Sequence, residues 1–255
     1  MILMQLLDNV RGNYRFFTGI APYSGGVRAA PGYEVVHATL CQPIPYRQGF
    51  AQIQAHLNDV GRPLDALCAV ELRSPQPFSF AGFIEFNNGY RDLLAELNLL
   101  VGEHNPIART NIAPAIAPPP EPSLYGFSYT IPNPELVVPT FIVAGAGDLD
   151  DQADLTPAAI VRAGETSVDA MHAKAVVVLA EMAVRLNGLG LAWQNVTTAN
   201  IYTIQPLHPI LEQPIFSTMA SAASTHGVHW HYSYPPIAGL EFEMDVRSVR
   251  REIWL

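Results

Sequence analysis

The groups able to do chemistry in this chain are few and widely spaced. Arg109 stands in "NPIARTNI", in a chain with 14 Lys and Arg against 23 Asp and Glu. A guanidinium presents a planar fork of N–H donors that matches a carboxylate with two parallel, charge-assisted hydrogen bonds. An ion pair with a nearby acid is the competing role. Glu241 and Glu243 in "LEFEMDV" fall on one face of a strand. A carboxylate so placed can take a proton from water and return it to a leaving group; an ordinary edge-strand pair is the alternative. "HGVHWHYS" holds His226, His229 and His231, and the last two share a strand face. They could contribute to a zinc site, but a third ligand would have to come from afar and no Cys is near. A general base, a replacement cation or core histidines are the other readings, and no metal is expected.

Two stretches are better read as loops. "VAGAGDLDD" lacks the Gly-Lys-Ser/Thr ending and the glycine spacing of a phosphate loop. "DLDDQAD" lacks the glycine and terminal glutamate of an EF-hand loop.

The composition bounds the surroundings of these groups. The net charge of -9 and pI of about 5.3 argue against a nucleic-acid surface, which needs clustered cations. The cluster in "DVRSVRRE" (Arg247, Arg250, Arg251) reads as a solvated tail. Hydrophobic residues are 49% and charged ones 15%, so a large core is expected, with part of the surface covered by other subunits. Cys41 and Cys68 sit in apolar, strand-like runs and read as buried thiols in a reducing cytoplasm. No leader for export is seen. No stretch approaches the roughly 20 apolar residues of a membrane span, because Lys174 and Glu181 interrupt "AKAVVVLAEMAV".

The elements that must position these groups come twice. The first half reads as strands at 14–22 and 32–40, a helix at 46–61 with Phe50, Ile53, His56 and Leu57 on one face, a strand at 66–74, a helix at 89–103 and two closing strands. The second half reads as a strand at 139–149, a long helix at 165–190, a strand within 192–204, a helix at 208–225 and two closing strands. Gly61–Leu72 lies over Gly190–Ile201 without a gap, matching Leu64 with Trp193, Leu67 with Val196 and Leu72 with Ile201. The proline-bearing "IPNPELVVP" suits the boundary. Each half is expected to be α+β, with helices on one face of a mixed, mainly antiparallel sheet. The helix-free faces are expected to pack in an oligomer. "APAIAPPPEPS" is a stiff insertion that either covers a pocket, clamps a neighbour or is a plain surface loop.

"FIVAGAGDL", the long "ETSVDAMHAKAVVVLAEMAVRLNGLGL" helix, "VTTANIYTI" and "LEFEMDV" resemble the RidA/YjgF family of enamine and imine deaminases. "FFTGIAP", "FNNGY" and "NPIARTNI" resemble it more distantly. The resemblance implies two fused RidA/YjgF-like (chorismate-mutase-like) domains. Residues 1–131 would form a degenerate one carrying Arg109, and residues 139–255 one carrying Glu241. It also implies a trimer with ligand sites in clefts, no organic cofactor, and a small carboxylate-bearing substrate. Arg109 would grip the substrate carboxylate, Glu241 would position water, and Asn87, Tyr90 and Gly19 would line the pocket. In the second half His229 is the nearest cation, Gln213 lies near the asparagine position and Gly145 near the glycine. Tyr125 replaces the glutamate of the first half. The implied activity is hydrolytic deamination of an enamine or imine carboxylic acid, 2-aminoacrylate-like or aminomuconate-like. A chorismatase-like enzyme and a carboxylate-binding scaffold with relict sites are the alternatives.

Overall fold

The computed structural model describes residues 4–255. Its strands are β1 (Leu6–Asn9), β2 (Tyr14–Phe17), β3 (Gly26–Ala29), β4 (Tyr33–Pro45), β5 (Leu67–Arg73), β6 (Ala108–Pro114), β7 (Ser123–Pro132), β8 (Phe141–Gly147), β9 (Thr198–Tyr202), β10 (His229–His231), β11 (Ser233–Tyr234), β12 (Glu243–Ser248) and β13 (Arg251–Trp254). The helices are α1 (Tyr46–Asp59), α2 (Phe80–Glu96), α3 (Val168–Gly188) and two short pieces, α4 (Ser217–Met219) and α5 (Ser221–His226).

The strands form two mixed sheets, ordered β1-β2-β3-β8-β12-β9-β10 and β11-β6-β5-β7-β4-β13. Within them, β10-β9-β12-β8 and β6-β5-β7-β4 share one pattern. In each, a parallel pair (β9 with β10, β5 with β6) is followed by two antiparallel joints. Strands also cross the 131–139 link in both directions. β3 pairs with β8, and β13 runs parallel to β4. The arginine-rich end is therefore not a solvated tail: Arg251 to Trp254 form an edge strand, because the backbone of β4 had a free edge to pair.

The helices lie on the outer faces. Phe50, Ile53 and Leu57 of α1 and Tyr90 and Leu94 of α2 pack on Val36, Val70, Leu72 and Phe127. Met171, Val178, Met182 and Leu186 of α3 pack on Val143, Ile201, Met244 and Val246. The spacing of three and four along each helix carries these residues to one side. The helix-free faces were expected to need a second copy of the chain. They cover one another instead: Tyr14, Phe16 and Val27 of one sheet meet Val35, Cys68 and Ala108 of the other. The Tyr14 hydroxyl crosses the interface to donate to Leu67 O at 2.9 Å. The layers are thus helix, sheet, sheet, helix.

Three local expectations are corrected. The second helix begins at Phe80, not Gly89, because Ser79 caps it by accepting from Gly82 N at 3.1 Å. "FNNGY" is then helix interior, and its glycine faces open space. The expected helix at 208–225 is broken. Gln213 is extended (φ -128°, ψ 124°), as the residue before a proline tends to be, and Ala220 has φ 48°. Cys68 is buried as expected, but Cys41 is exposed on its strand. The proline insertion is exposed at residues 116–118. None of the helices is long and apolar enough to cross a membrane among the described residues.

One ion pair ties the layers of the second unit. Lys174 of α3 and Asp148, both fully buried, meet at 2.7 Å. Lys174 also donates to Val161 O, and Asp148 accepts from the backbone N–H groups of Glu241 and Phe242. Asp148→Ala would strand the ammonium and two N–H groups, and should destabilise the protein by about 3–5 kcal/mol. Urea unfolding of the variant checks this, and a loss below about 1 kcal/mol would show that water replaces the carboxylate.

Candidate functional site: a cleft between the sheets

Arg109 is placed by β6, the last full strand before the short β11. Its guanidinium is buried against α2. Nη2 donates to Asn87 Oδ1 at 2.6 Å, and the Tyr90 and Tyr23 rings lie 4.8 and 4.9 Å from its carbon. Asn87 and Tyr90 are three residues apart on a helix, so they face the same way. Stacking on aromatic faces stabilises a cation that has lost its water. Burial, the largest effect, draws the Arg109 pKa down, while Tyr90, Tyr23 and Glu243 act to raise it. Nη1 is buried with no hydrogen-bond partner. Two residues along β6, Asn111 accepts from Ser74 Oγ at 3.0 Å, leaving its Nδ2 buried and unpartnered.

These two unused donors open into a cleft whose far wall belongs to the other sheet. Gly145 and Gly147 of β8 and Glu243 of β12 form that wall, with Tyr23 and Gln152 at its sides. Phe83, Leu149, Ile237 and Leu240 belong to an apolar cluster at its end. The chain at 236–238 closes this end by pairing with Phe78 (Phe78 N to Pro236 O, Ala238 N to Phe78 O, each 2.8 Å). Gly145 is required here. A Cβ would collide with the Glu243 carboxyl and lie 3.1 Å from Thr110 Cγ2. Gly19 does not line the cleft. It permits the turn that presents Tyr23, since a Cβ would come within 2.7 Å of Tyr23 O.

Glu243 is 3% exposed, and its carboxyl has no protein hydrogen bond among the described residues. Burial raises its pKa well above the carboxylate range, and the charge on Asp245 adds to the rise. Arg185 and Arg109 oppose without prevailing. Arg185 is largely committed elsewhere, to Glu181 and to the carbonyls of Ala144 and Gly145. Burial thus favours the protonated form of a carboxyl that faces a cleft and can give a proton and take it back. Asp245 behind it is saturated by Thr110 Oγ1, Asn200 Nδ2 and the Tyr202 hydroxyl, each at 2.8–2.9 Å.

The structure therefore brings together Arg109, Asn87 and Tyr90, and adds Gly145 from the second half. It does not bring Glu241 or His229 to Arg109. Strand β12 starts only at Glu243, and the two N–H bonds to Asp148 turn the chain before it. Glu241 is left to accept from Gln205 at 2.9 Å. His229 is exposed on β10 and borders a different cleft, with Arg73 and Tyr125. Gln213 lies at the break before Pro214 and accepts from Ser217. Among the described residues no group of three His, Cys, Asp or Glu could hold a metal ion. Sequence reasoning missed Asn111, Tyr23 and Gln152. Glu243 had been marked only as Glu241's neighbour on the same face.

Residues 6–253 match the family model described as 2-aminomuconate deaminase CnbZ. A 2-amino-5-chloromuconate deaminase from Comamonas testosteroni is 36% identical over 242 residues, which cover 94% of this chain and 95% of the relative. A chorismatase crystal structure gives a TM-score of 0.47 at 12% identity, covering 96% of this chain and 78% of that one. A likeness of that size bears on neither fold nor function.

The buried acid makes a signature in stability. With its folded pKa raised, Glu243 binds its proton more tightly in the native state than in the unfolded one. Stability is therefore lost as pH rises from about 4.3, the unfolded value, up through the folded pKa. Glu243→Gln removes this loss. The variant should match the wild type near pH 4 and exceed it increasingly toward alkaline pH, as urea midpoints across that range would show. Equal pH slopes for the two proteins would mean that the carboxyl is ionised.

Proposed function

The chain belongs to the 2-aminomuconate deaminase CnbZ family, enzymes acting on carbon–nitrogen bonds, and from this premise we propose that it hydrolyses an aminomuconate-like enamine carboxylate in the Arg109–Glu243 cleft. The observation that carries the reading is the pairing of two groups on one cleft. Arg109 has a buried N–H with no protein partner, and Glu243 is a carboxyl kept neutral by burial.

The steps follow from those groups. The substrate carboxylate takes Arg109 Nη1 and Asn111 Nδ2, donors that are unmatched until it arrives, so binding is strong and oriented. Glu243 protonates the carbon beside the amino-bearing carbon, turning the enamine into an iminium. The resulting carboxylate then draws a proton from water, and the C–O bond forms at the former C–N carbon. Glu243, now carrying water's proton, gives it to the carbinolamine nitrogen; the C–N bond breaks, and the hydroxyl proton passes to Glu243 as the C=O bond forms, restoring the acid. One water is consumed, and an oxo acid and ammonia are released. Arg109 near the developing charge and the exclusion of bulk water by Phe83, Ile237 and Leu240 both favour the transfer.

Two finer readings belong to the same proposal. The acid is Glu243, with Glu241 in a structural role toward Gln205. The two four-stranded units arose by duplication of a RidA/YjgF-like domain, which their shared strand order supports. On that reading the fused units keep one combined site, in which Arg109 comes from the first half and Glu243 from the second.

Ammonia release from 2-aminomuconate separates the roles. Glu243→Gln should lower kcat by about 10²–10⁴-fold, the usual worth of a positioned acid. Arg109→Gln should lower kcat/KM by about 10–100-fold, as expected for lost hydrogen bonds to a charged group. Glu241→Gln should stay within about threefold of wild type, consistent with a surface-level effect. A fully active Glu243→Gln variant, or loss of turnover only in Glu241→Gln, would overturn the assignment.

A further inference from the structure

A second cleft lies in the corresponding place of the other unit. The first sits between β6 of one sheet and β8 and β12 of the other. The second sits between β10 and strands β4, β5 and β7. The chemistry above makes no use of it. Its central cation is Arg73, 6% exposed, at the end of β5. The Arg73 guanidinium carbon lies 3.9 Å from the centre of the Tyr125 ring and 6.0 Å from that of Tyr202. Arg109 is held against two tyrosines in a similar way.

Arg73 has donors to spare. Among the described residues its one hydrogen bond is from Nη1 to its own neighbour's carbonyl, Leu72 O, at 3.0 Å, and its ion pair with Glu71 is long, 3.5 Å. The other charges of the cleft are engaged with one another. Arg247 reaches Glu71 at 3.4 Å and Glu252 at 3.1 Å. Burial lowers the pKa of both the buried His37 and the half-buried His231, the latter to about 4. Ring faces line the rest of the cleft. His231 stacks on Tyr202 at 4.8 Å, and Tyr125 and the exposed Trp254 flank the opening.

We propose that this cleft is a second binding site for a small, planar, conjugated carboxylate, held by Arg73 between the Tyr125, His231 and Trp254 rings, and that it binds without turnover. An incompletely paired guanidinium calls for an anion with two oxygens. The aromatic walls call for a flat body. No group here can play the part of Glu243. Burial acts to raise the Glu71 carboxyl, but His37, Arg247 and Arg73 outweigh it and bring it down to about 2, so Glu71 stays ionised. Ligands of the class that the catalytic cleft consumes or releases are thus bound here as effectors.

The site also has a physical route to the first cleft. Glu71 pairs with Arg247, whose strand neighbours on the same face are Asp245 and Glu243. Tyr202, beside Arg73, donates to Asp245. A bound carboxylate that draws Arg73 or Arg247 away from Glu71 changes the field on that row.

Sorbate, a flat dienoate with no amino group to lose, is a suitable probe. Calorimetry of the full chain should give two sites per chain, and titration should change Trp254 fluorescence, identified by its loss in Trp254→Phe. Arg109→Gln should keep one site and the fluorescence change; Arg73→Gln should keep one site and lose it. A single site that disappears with Arg109→Gln overturns the proposal. A single site that disappears with Arg73→Gln upholds it and instead removes the carboxylate role of Arg109. Should Arg73→Gln not fold, Arg109→Gln decides alone: one remaining site with the fluorescence change upholds the proposal, and none overturns it.

Discussion

Two sheets packed face to face leave no bulk water to solvate the polar groups that point between them. That constraint governs the interior of this protein. Thr110, Glu71 and Arg73 point inward from one sheet, and Glu243, Asp245 and Arg247 from the other. Each must be paired, stacked or neutral, since an isolated charge in such a place costs several kcal/mol or more. Asp245 is saturated by three donors. Glu71 and Arg247 hold each other. Glu243 has neither solution, and burial pushes its pKa up. Its raised pKa is thus a direct result of where β12 places a carboxyl.

The same constraint explains why reactive groups gather where β6 and β10 flank the packed sheets. There the packing opens, and a ligand can supply the partner that the protein withholds. Arg109 and Asn111 keep unmatched donors on one side, and Arg73 keeps them on the other. Both arginines lie against tyrosine rings, which let a guanidinium stay dry without consuming its donors. Stability is supplied elsewhere, by the outer helix layers and by the Lys174–Asp148 pair that holds the entry to β12. Separating the two tasks lets the cleft keep unsatisfied groups that would otherwise be a liability.

Much of the architecture was legible along the chain, because periodicity reports burial on one side. The strands around 14–17, 33–40, 67–73 and 141–147 and the helices α1 and α3 read correctly from their apolar spacing. The second helices of both halves did not. The residues before Gly89 read as a loop, yet the helix begins at Phe80, nine residues earlier, and the side-chain cap of Ser79 depends on a bond that composition does not display. In the second half Pro214 and the positive φ of Ala220 divided a segment whose apolar content suggested continuity. The site was half legible. Arg109, Asn87 and Tyr90 were marked through motif resemblance and stand together. The resemblance points to Glu241, and parity alone does not separate it from Glu243, which shares its strand face.

The sequence by itself determined that the chain is α+β, has a large core, is poor in cations, and carries one prominent arginine beside a helix able to hold it. These are local matters of composition and spacing, and a one-dimensional pattern records them. Only the tertiary structure decided that the helix-free faces close on each other within one chain, that the terminal strands exchange between sheets, and that Glu243 rather than Glu241 faces Arg109. Those outcomes depend on contacts between residues far apart in sequence, such as Thr110 with Asp245, 135 positions away, and Asp148 with the backbone of Glu241, 93 positions away. No local pattern encodes them, because the pKa of a carboxyl and the partners left to an arginine are properties of the space around them.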